Sequence, residues 1–230
     1  MKKQQKNWLL ILLGSGLILT SFVGFMIQNR ATNNYDSMYE ETTLYAEEGP
    51  QSEFAYRATE QLRGKGIDIP LFLQTDERWQ EEYADDSYTY TLAENGSGFA
   101  SLAMLLSYYD ATEYVYDDLY ALTFGDYFTA DGSLKWKFFE EASESFGTPV
   151  TSLGNNFDKV QTLLANHQPI IVSFKPGTFI DSEHFVVLFQ TDDQTIRVLD
   201  PLDSPEREIY TIDFAPKDLT DKIQNYWAVL

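Results

Sequence analysis

Residues 157–190 read FDKVQTLLANHQPIIVSFKPGTFIDSEHFVVLFQ, and the apolar period changes inside them. Phe157, Val160, Leu163 and Leu164 recur at helical spacing. Asn155 or Asn156 just before them can cap that helix by accepting from a first-turn amide. Beyond the helix the 3.6-residue spacing is gone. Residues 169–174 and 184–190 are short apolar runs rich in β-branched and aromatic side chains, separated by Pro, Gly and acidic residues, and they read as strands.

The pattern extends both ways from this switch. Downstream, residues 196–199, 208–212 and 226–230 read as further strands. Upstream the helical period dominates. Residues 98–109 place Leu102, Leu105, Leu106 and Tyr109 on one stripe, and a second helix is predicted over 116–122. A third follows Asp131-Gly132-Ser133, carrying Leu134, Phe138 and Ala142 and stopping at Gly147. Residues 67–73 are apolar but contain Pro70, which predicts an edge strand, and the acidic, aromatic residues 74–94 predict a loop. Helices followed by an antiparallel sheet make an α+β domain over 67–230, with two layers and one core as the economical expectation.

The first thirty residues differ from the rest. Lys2, Lys3 and Lys6 precede an apolar run over 8–27, about 30 Å of helix and so long enough to span a bilayer. The lysines before it and the single Arg30 after it place the N-terminus in the cytoplasm and the rest outside. A cleaved signal peptide is the rival reading, but no small-residue cleavage pair ends the run, so residues 1–30 are expected to form a cytoplasmic tip and an uncleaved, single-pass signal anchor in the cell membrane. Residues 31–66 are expected to be an acidic stalk and a short helix over 53–63, closed by Gly64-Lys65-Gly66.

Charge and composition narrow the function. The chain has 16 basic and 36 acidic residues and a formal charge of −20. Such a surface repels nucleic acid. There are no cysteines and two histidines, which excludes disulfides, thiolate metal sites and a thiol nucleophile. No nucleotide-binding loop or metal-ligand motif is present, so no cofactor and no metal are expected.

Four separated pieces carry the functional argument. Pro70-Leu71-Phe72-Leu73-Gln74-Thr75-Asp76-Glu77-Arg78-Trp79 comes first. Gly96-Ser97-Gly98-Phe99-Ala100-Ser101-Leu102-Ala103-Met104 opens a helix, His184-Phe185-Val186-Val187 opens a strand, and Val198-Leu199-Asp200-Pro201 closes the next one. Together they resemble the papain-like cysteine peptidases of the bacteriocin-processing type, the peptidase family C-39 and its C-39-like relatives. The resemblance covers residues 67–230 and implies a papain-like fold. It also implies site roles: Gln74 for the oxyanion hole, Ser97 at the nucleophile position, His184 as general base and Asp200 as the acid that orients the imidazole.

The departures from that pattern bear on activity. Ser97 stands where the family has cysteine, Phe99 where it has proline, and Glu183 where glycine precedes the histidine. A helix N-terminus and an imidazolium can stabilise a thiolate, but a serine hydroxyl is far too basic to form that ion pair. Ser97 between two glycines also suits an N-cap. The leading expectation is therefore a membrane-anchored extracytoplasmic domain, degenerate as a peptidase, that binds a peptide or cell-envelope partner. The alternatives are a hydrolase cleaving an amide or ester with Ser97, His184 and Asp200, and a Cys-to-Ser variant of an active peptidase. The sequence does not give an oligomeric state.

Overall fold

The computed structural model describes residues 52–79, 91–114, 127–129 and 132–230. The expected anchor, most of the stalk and the helix expected over 116–122 lie outside the described residues. Among those residues, no helix is long and apolar enough to cross a membrane.

The described part opens with helix α1 (Glu53–Arg63), which buries Phe54, Ala55, Ala58, Thr59 and Leu62 on one face. Residues 67–73 follow it closely but pair with no strand. Their amides turn back to the helix instead: Ile67 N–H donates to Leu62 O at 3.0 Å and Leu71 N–H to Thr59 Oγ1 at 2.9 Å. The edge strand expected here is thus an extended segment that buries Ile67, Ile69, Leu71 and Phe72 without a ladder. The loop expected over 74–94 ends in a short helix, α2 (Leu92–Asn95), where Thr91 N–H donates to the Glu94 carboxylate at 2.9 Å. Thr91-x-x-Glu94 is a capping-box spacing.

Helix α3 (Ser97–Asp110) is the centre of the helical part. Every residue from Ser97 to Ser107 is buried, so the apolar stripe seen in the sequence is one side of a helix enclosed all round. Leu102, Leu105 and Leu106 are fully buried and contribute roughly 1.5–3 kcal/mol each. The helix ends at Ala111, in the left-handed region at φ 49. Helix α4 (Lys137–Phe146) ends at Gly147, φ 80, where the absence of a Cβ makes a left-handed cap inexpensive. Leu134, expected on its apolar stripe, lies before the helix and bridges Phe128.

The sheet has five antiparallel strands in the order β1-β5-β2-β3-β4: β1 (Val150–Gly154), β2 (Ile170–Phe174), β3 (His184–Gln190), β4 (Ile196–Leu199) and β5 (Ile223–Val229). Strand β1 was not expected. It precedes helix α5 (Phe157–Ala165), whose N-cap is Asn156, with its side chain accepting from Lys159 N–H at 3.3 Å. The strand expected over 208–212 is a 3-10 turn (Ile209–Thr211), because the Asp203 carboxylate takes the amides of Ile209 and Tyr210.

The architecture has three layers rather than two. Ile171, Phe185, Val187, Phe189, Leu199 and Trp227 join the core with α1, α3 and α4. Their neighbours Ile170, Val172, Val186, Leu188, Val198 and Tyr226 join a second core with Val160 and Leu164 of α5. Successive strand side chains point to opposite faces, so burial on both faces explains the unbroken apolar runs. Among the helices, α3 packs most closely on β3, which sets its first residue against that strand's start.

Candidate active site

Four expected site residues sit at the ends of four different elements. Gln74 ends the extended segment, Ser97 is the first residue of α3, His184 the first of β3, and Asp200 follows β4. All four are buried: Gln74 is 2% exposed, Ser97 6%, His184 1% and Asp200 0%.

Local geometry explains the position of Ser97. Gly96 N–H donates to Leu92 O at 2.7 Å, and a Cβ at Gly96 would lie 2.5 Å from that carbonyl. Only glycine fits this close junction between α2 and α3, and Gly96 is itself the N-cap. Ser97 therefore does not cap its own helix. Its Oγ accepts instead from Phe185 N–H at 3.3 Å, across to β3. That contact leaves the hydroxyl proton uncommitted.

His184 and Asp200 meet as expected. His184 Nε2 lies 2.5 Å from Asp200 Oδ1, on adjacent antiparallel strands. The nitrogen left for a reacting group is Nδ1. Asp200 has two further partners: Leu202 N–H donates to Oδ1 at 2.8 Å, and Arg207 Nη2 donates to Oδ2 at 2.8 Å. Burial pushes the Asp200 carboxyl up. The hydrogen bond and charge of His184, the Leu202 amide and the Arg207 guanidinium outweigh it and hold the group below its ordinary value. The ionised carboxylate fixes the imidazole with Nε2–H as donor.

Arg207 was not anticipated. It also donates from Nη1 to Leu202 O at 2.6 Å, closing the turn after Asp200. The available signal was an arginine seven positions beyond a buried aspartate in a chain poor in bases.

Gln74 is joined to the same region. Its backbone N–H donates to Pro201 O at 2.9 Å, bringing the extended segment beside the Asp200 turn. Its side chain is anchored on α2. Nε2 donates to Ala93 O at 2.7 Å, and Oε1 is buried without a hydrogen-bond partner. The adjoining cavity holds only about 10 Å³, lined by Gln74, Phe72, Trp79, Leu92, Gly96 and Phe99 among others. Trp79 is 6% exposed and donates from Nε1 to Leu73 O, as a core residue would.

Phe99, the departure beside Ser97, is packed in. Phe99 stacks with Phe128 at 5.9 Å and touches Phe138 at 4.3 Å between ring centroids. Leu134 lies on the backbone of Gly98, where a Cβ would come 2.2 Å from Leu134 Cδ2. Among the described residues, no group of three or more His, Asp or Glu could hold a metal ion.

A profile described as the Peptidase_C39 like family matches residues 66–229. The chain belongs to this family. No curated protein matches it. Among solved structures, a protein described as a C39-like peptidase from Bacillus anthracis is similar at 15% identity and a TM-score of 0.44, over 59% of this chain and 89% of that one. The peptidase domain of Streptococcus ComA, a bifunctional ABC transporter involved in a quorum-sensing pathway, is similar at 17% identity and a TM-score of 0.41, over 57% of this chain and 88% of that one. This chain is thus a C39-like peptidase domain without the family's cysteine.

Proposed function

We propose that the chain is a membrane-anchored, extracytoplasmic binding module built on a C39-like peptidase domain, which holds a peptide or cell-envelope partner without hydrolysing it. The observation that carries this reading is serine at the head of α3 where the family has its nucleophilic cysteine. An oxyanion hole needs a donor aimed at the developing charge, about 2.7–3.1 Å from where the oxyanion will sit. Here one of the two Gln74 Nε2 hydrogens is held by Ala93 O, which leaves a single donor there. The burial of all four site residues acts in the same direction. The His184–Asp200–Arg207 network is then a structural tie between β3, β4 and the turn after it. The anchoring half of the reading rests on the apolar run over 8–27 and the lysines before it.

One observation favours hydrolysis of an amide or ester instead. The Ser97 hydroxyl faces β3 rather than its own helix, beside a histidine already oriented by an aspartate. The two readings separate by fluorophosphonate labelling of the full chain in mild detergent, beside a Ser97→Ala control. The binding reading expects no Ser97-dependent label, and a label lost in the control establishes the hydrolase. Protease accessibility of the C-terminal domain on intact cells tests the orientation.

A further inference from the structure

The residue before His184 departs from the family pattern, and its surroundings are built rather than incidental. Glu183 Oε1 accepts from Ser173 Oγ at 2.7 Å, Trp136 Nε1 at 3.0 Å and Gln224 Nε2 at 3.3 Å. Ser173 is fully buried on β2, and Gln224 lies on β5 and also reaches Ser173 Oγ at 3.4 Å. The carboxylate is therefore fixed by neutral donors from β2, from β5 and from the residue that precedes α4. Among the described residues no lysine, arginine or histidine pairs with Glu183, and Oε2 has no hydrogen bond. A half-buried carboxylate held without a counter-cation keeps its negative charge unbalanced in a medium of reduced dielectric.

The neighbour that donates from its indole is also one of the few exposed large hydrophobic residues. Trp136 is 39% exposed, with its ring held edge-on by Trp227 at 5.4 Å between centroids and 90°. An indole is the strongest of the aromatic side chains for holding a cation over its ring. A fixed, uncompensated carboxylate beside a partly exposed indole is complementary to an alkylammonium or guanidinium group.

We propose that Trp136 and Glu183 form a subsite for the cationic side chain of a lysine or arginine in a bound peptide. The subsite adjoins His184 in the chain, so it would read a residue next to the degenerate centre. This deepens the binding reading and names the chemistry of the peptide. The net charge of −20 draws cationic peptides to the surface in general, whereas the subsite selects one position.

The test titrates Nα-acetyl-lysine methylamide into the full chain at moderate salt, following the Trp136 indole N–H resonance by NMR, with the Nε-acetylated probe as control. A saturable shift with the charged probe is expected, reduced at least about tenfold in apparent affinity with the neutral one. Glu183→Gln keeps an oxygen acceptor for the three donors but loses the charge, and is expected to abolish the response while the remaining amide spectrum is retained. Equal responses from the two probes, an unchanged response in Glu183→Gln, or no movement of the Trp136 signal would each overturn the subsite. The outcome is independent of Ser97: a charge-dependent response with a reactive Ser97 keeps the subsite and discards the non-hydrolytic reading.

Discussion

Arg207 and Asp200 form a charge-assisted contact of 2.8 Å on the carboxylate oxygen opposite to the one that meets His184. Asp200 is fully buried, so its charge is tolerable only while it is paired. The Arg207 side chain is 29% exposed and donates a second hydrogen bond to Leu202 O. Arg207→Met is expected to destabilise the domain by about 1.5–3 kcal/mol, the range for a hydrogen bond to a charged group. Arg207→Lys should recover part of that loss, since an ammonium restores the charge but not the fork. Urea unfolding of the three proteins measures both differences.

Acidification should act through Asp200 and be opposed by Asp203. Asp200 has a depressed folded-state pKa, so its contribution is complete above the unfolded value of about 3.9 and is lost as pH falls through the folded one. Asp203 is raised, mainly by burial and against the amides of Ile209, Tyr210 and Ser204. It carries a penalty at neutral pH that fades as pH drops. The urea midpoint, followed from pH 7 to pH 3, should therefore fall most steeply in Asp203→Asn, less in the native chain and least in Asp200→Asn. The reverse order would show that another group governs acid stability.

Two glycines flanking Ser97 should respond differently to alanine. At Gly96 the obstacle to a Cβ is the backbone carbonyl of Leu92 at 2.5 Å, which cannot move without breaking the α2–α3 junction. At Gly98 it is the end of the Leu134 side chain at 2.2 Å. Gly98→Ala should cost about 1–3 kcal/mol from overpacking, offset by roughly 1 kcal/mol of helix propensity. Adding Leu134→Ala should relieve the overpacking in Gly98→Ala, less the cost of the shortened side chain. It should give no relief to Gly96→Ala, which is expected to be the more destabilised. Thermal unfolding of the single and double variants reads the difference.

The sequence was most legible where burial is complete. Strands β2, β3 and β4 are buried along nearly their whole length and read as apolar runs. The His184–Asp200 pair was legible through the family resemblance, and the antiparallel pairing of β3 with β4 brings it together. Strand β1 left little trace because only Val150 of its five residues is buried. Residues 208–212 carry a strand-like apolar pattern, but Asp203 takes their amides from outside the segment. A second core under α5 could not be told from a single one, since buried strands look alike from either face. Ser97 looked like a cap because glycine–serine at a helix start usually is one, whereas here a tight preceding turn moved the cap to Gly96. Gln74 was located from its neighbours in the sequence, but the direction of its amide depends on Ala93, a carbonyl that no side-chain pattern reveals.

The proposed binding role requires that the site be inactive beyond the nucleophile. It is tested most directly by incubating the native full chain and its Ser97→Cys variant with a diverse peptide library and following cleavage by mass spectrometry. Restoring the thiol returns the family's nucleophile to the head of α3 but leaves Gln74 Nε2 on Ala93 O. No cleavage by either protein is the expected result. Sequence-dependent cuts by the Ser97→Cys variant that disappear in a Ser97→Cys, His184→Ala double variant would contradict the account and show that the remaining catalytic groups are intact.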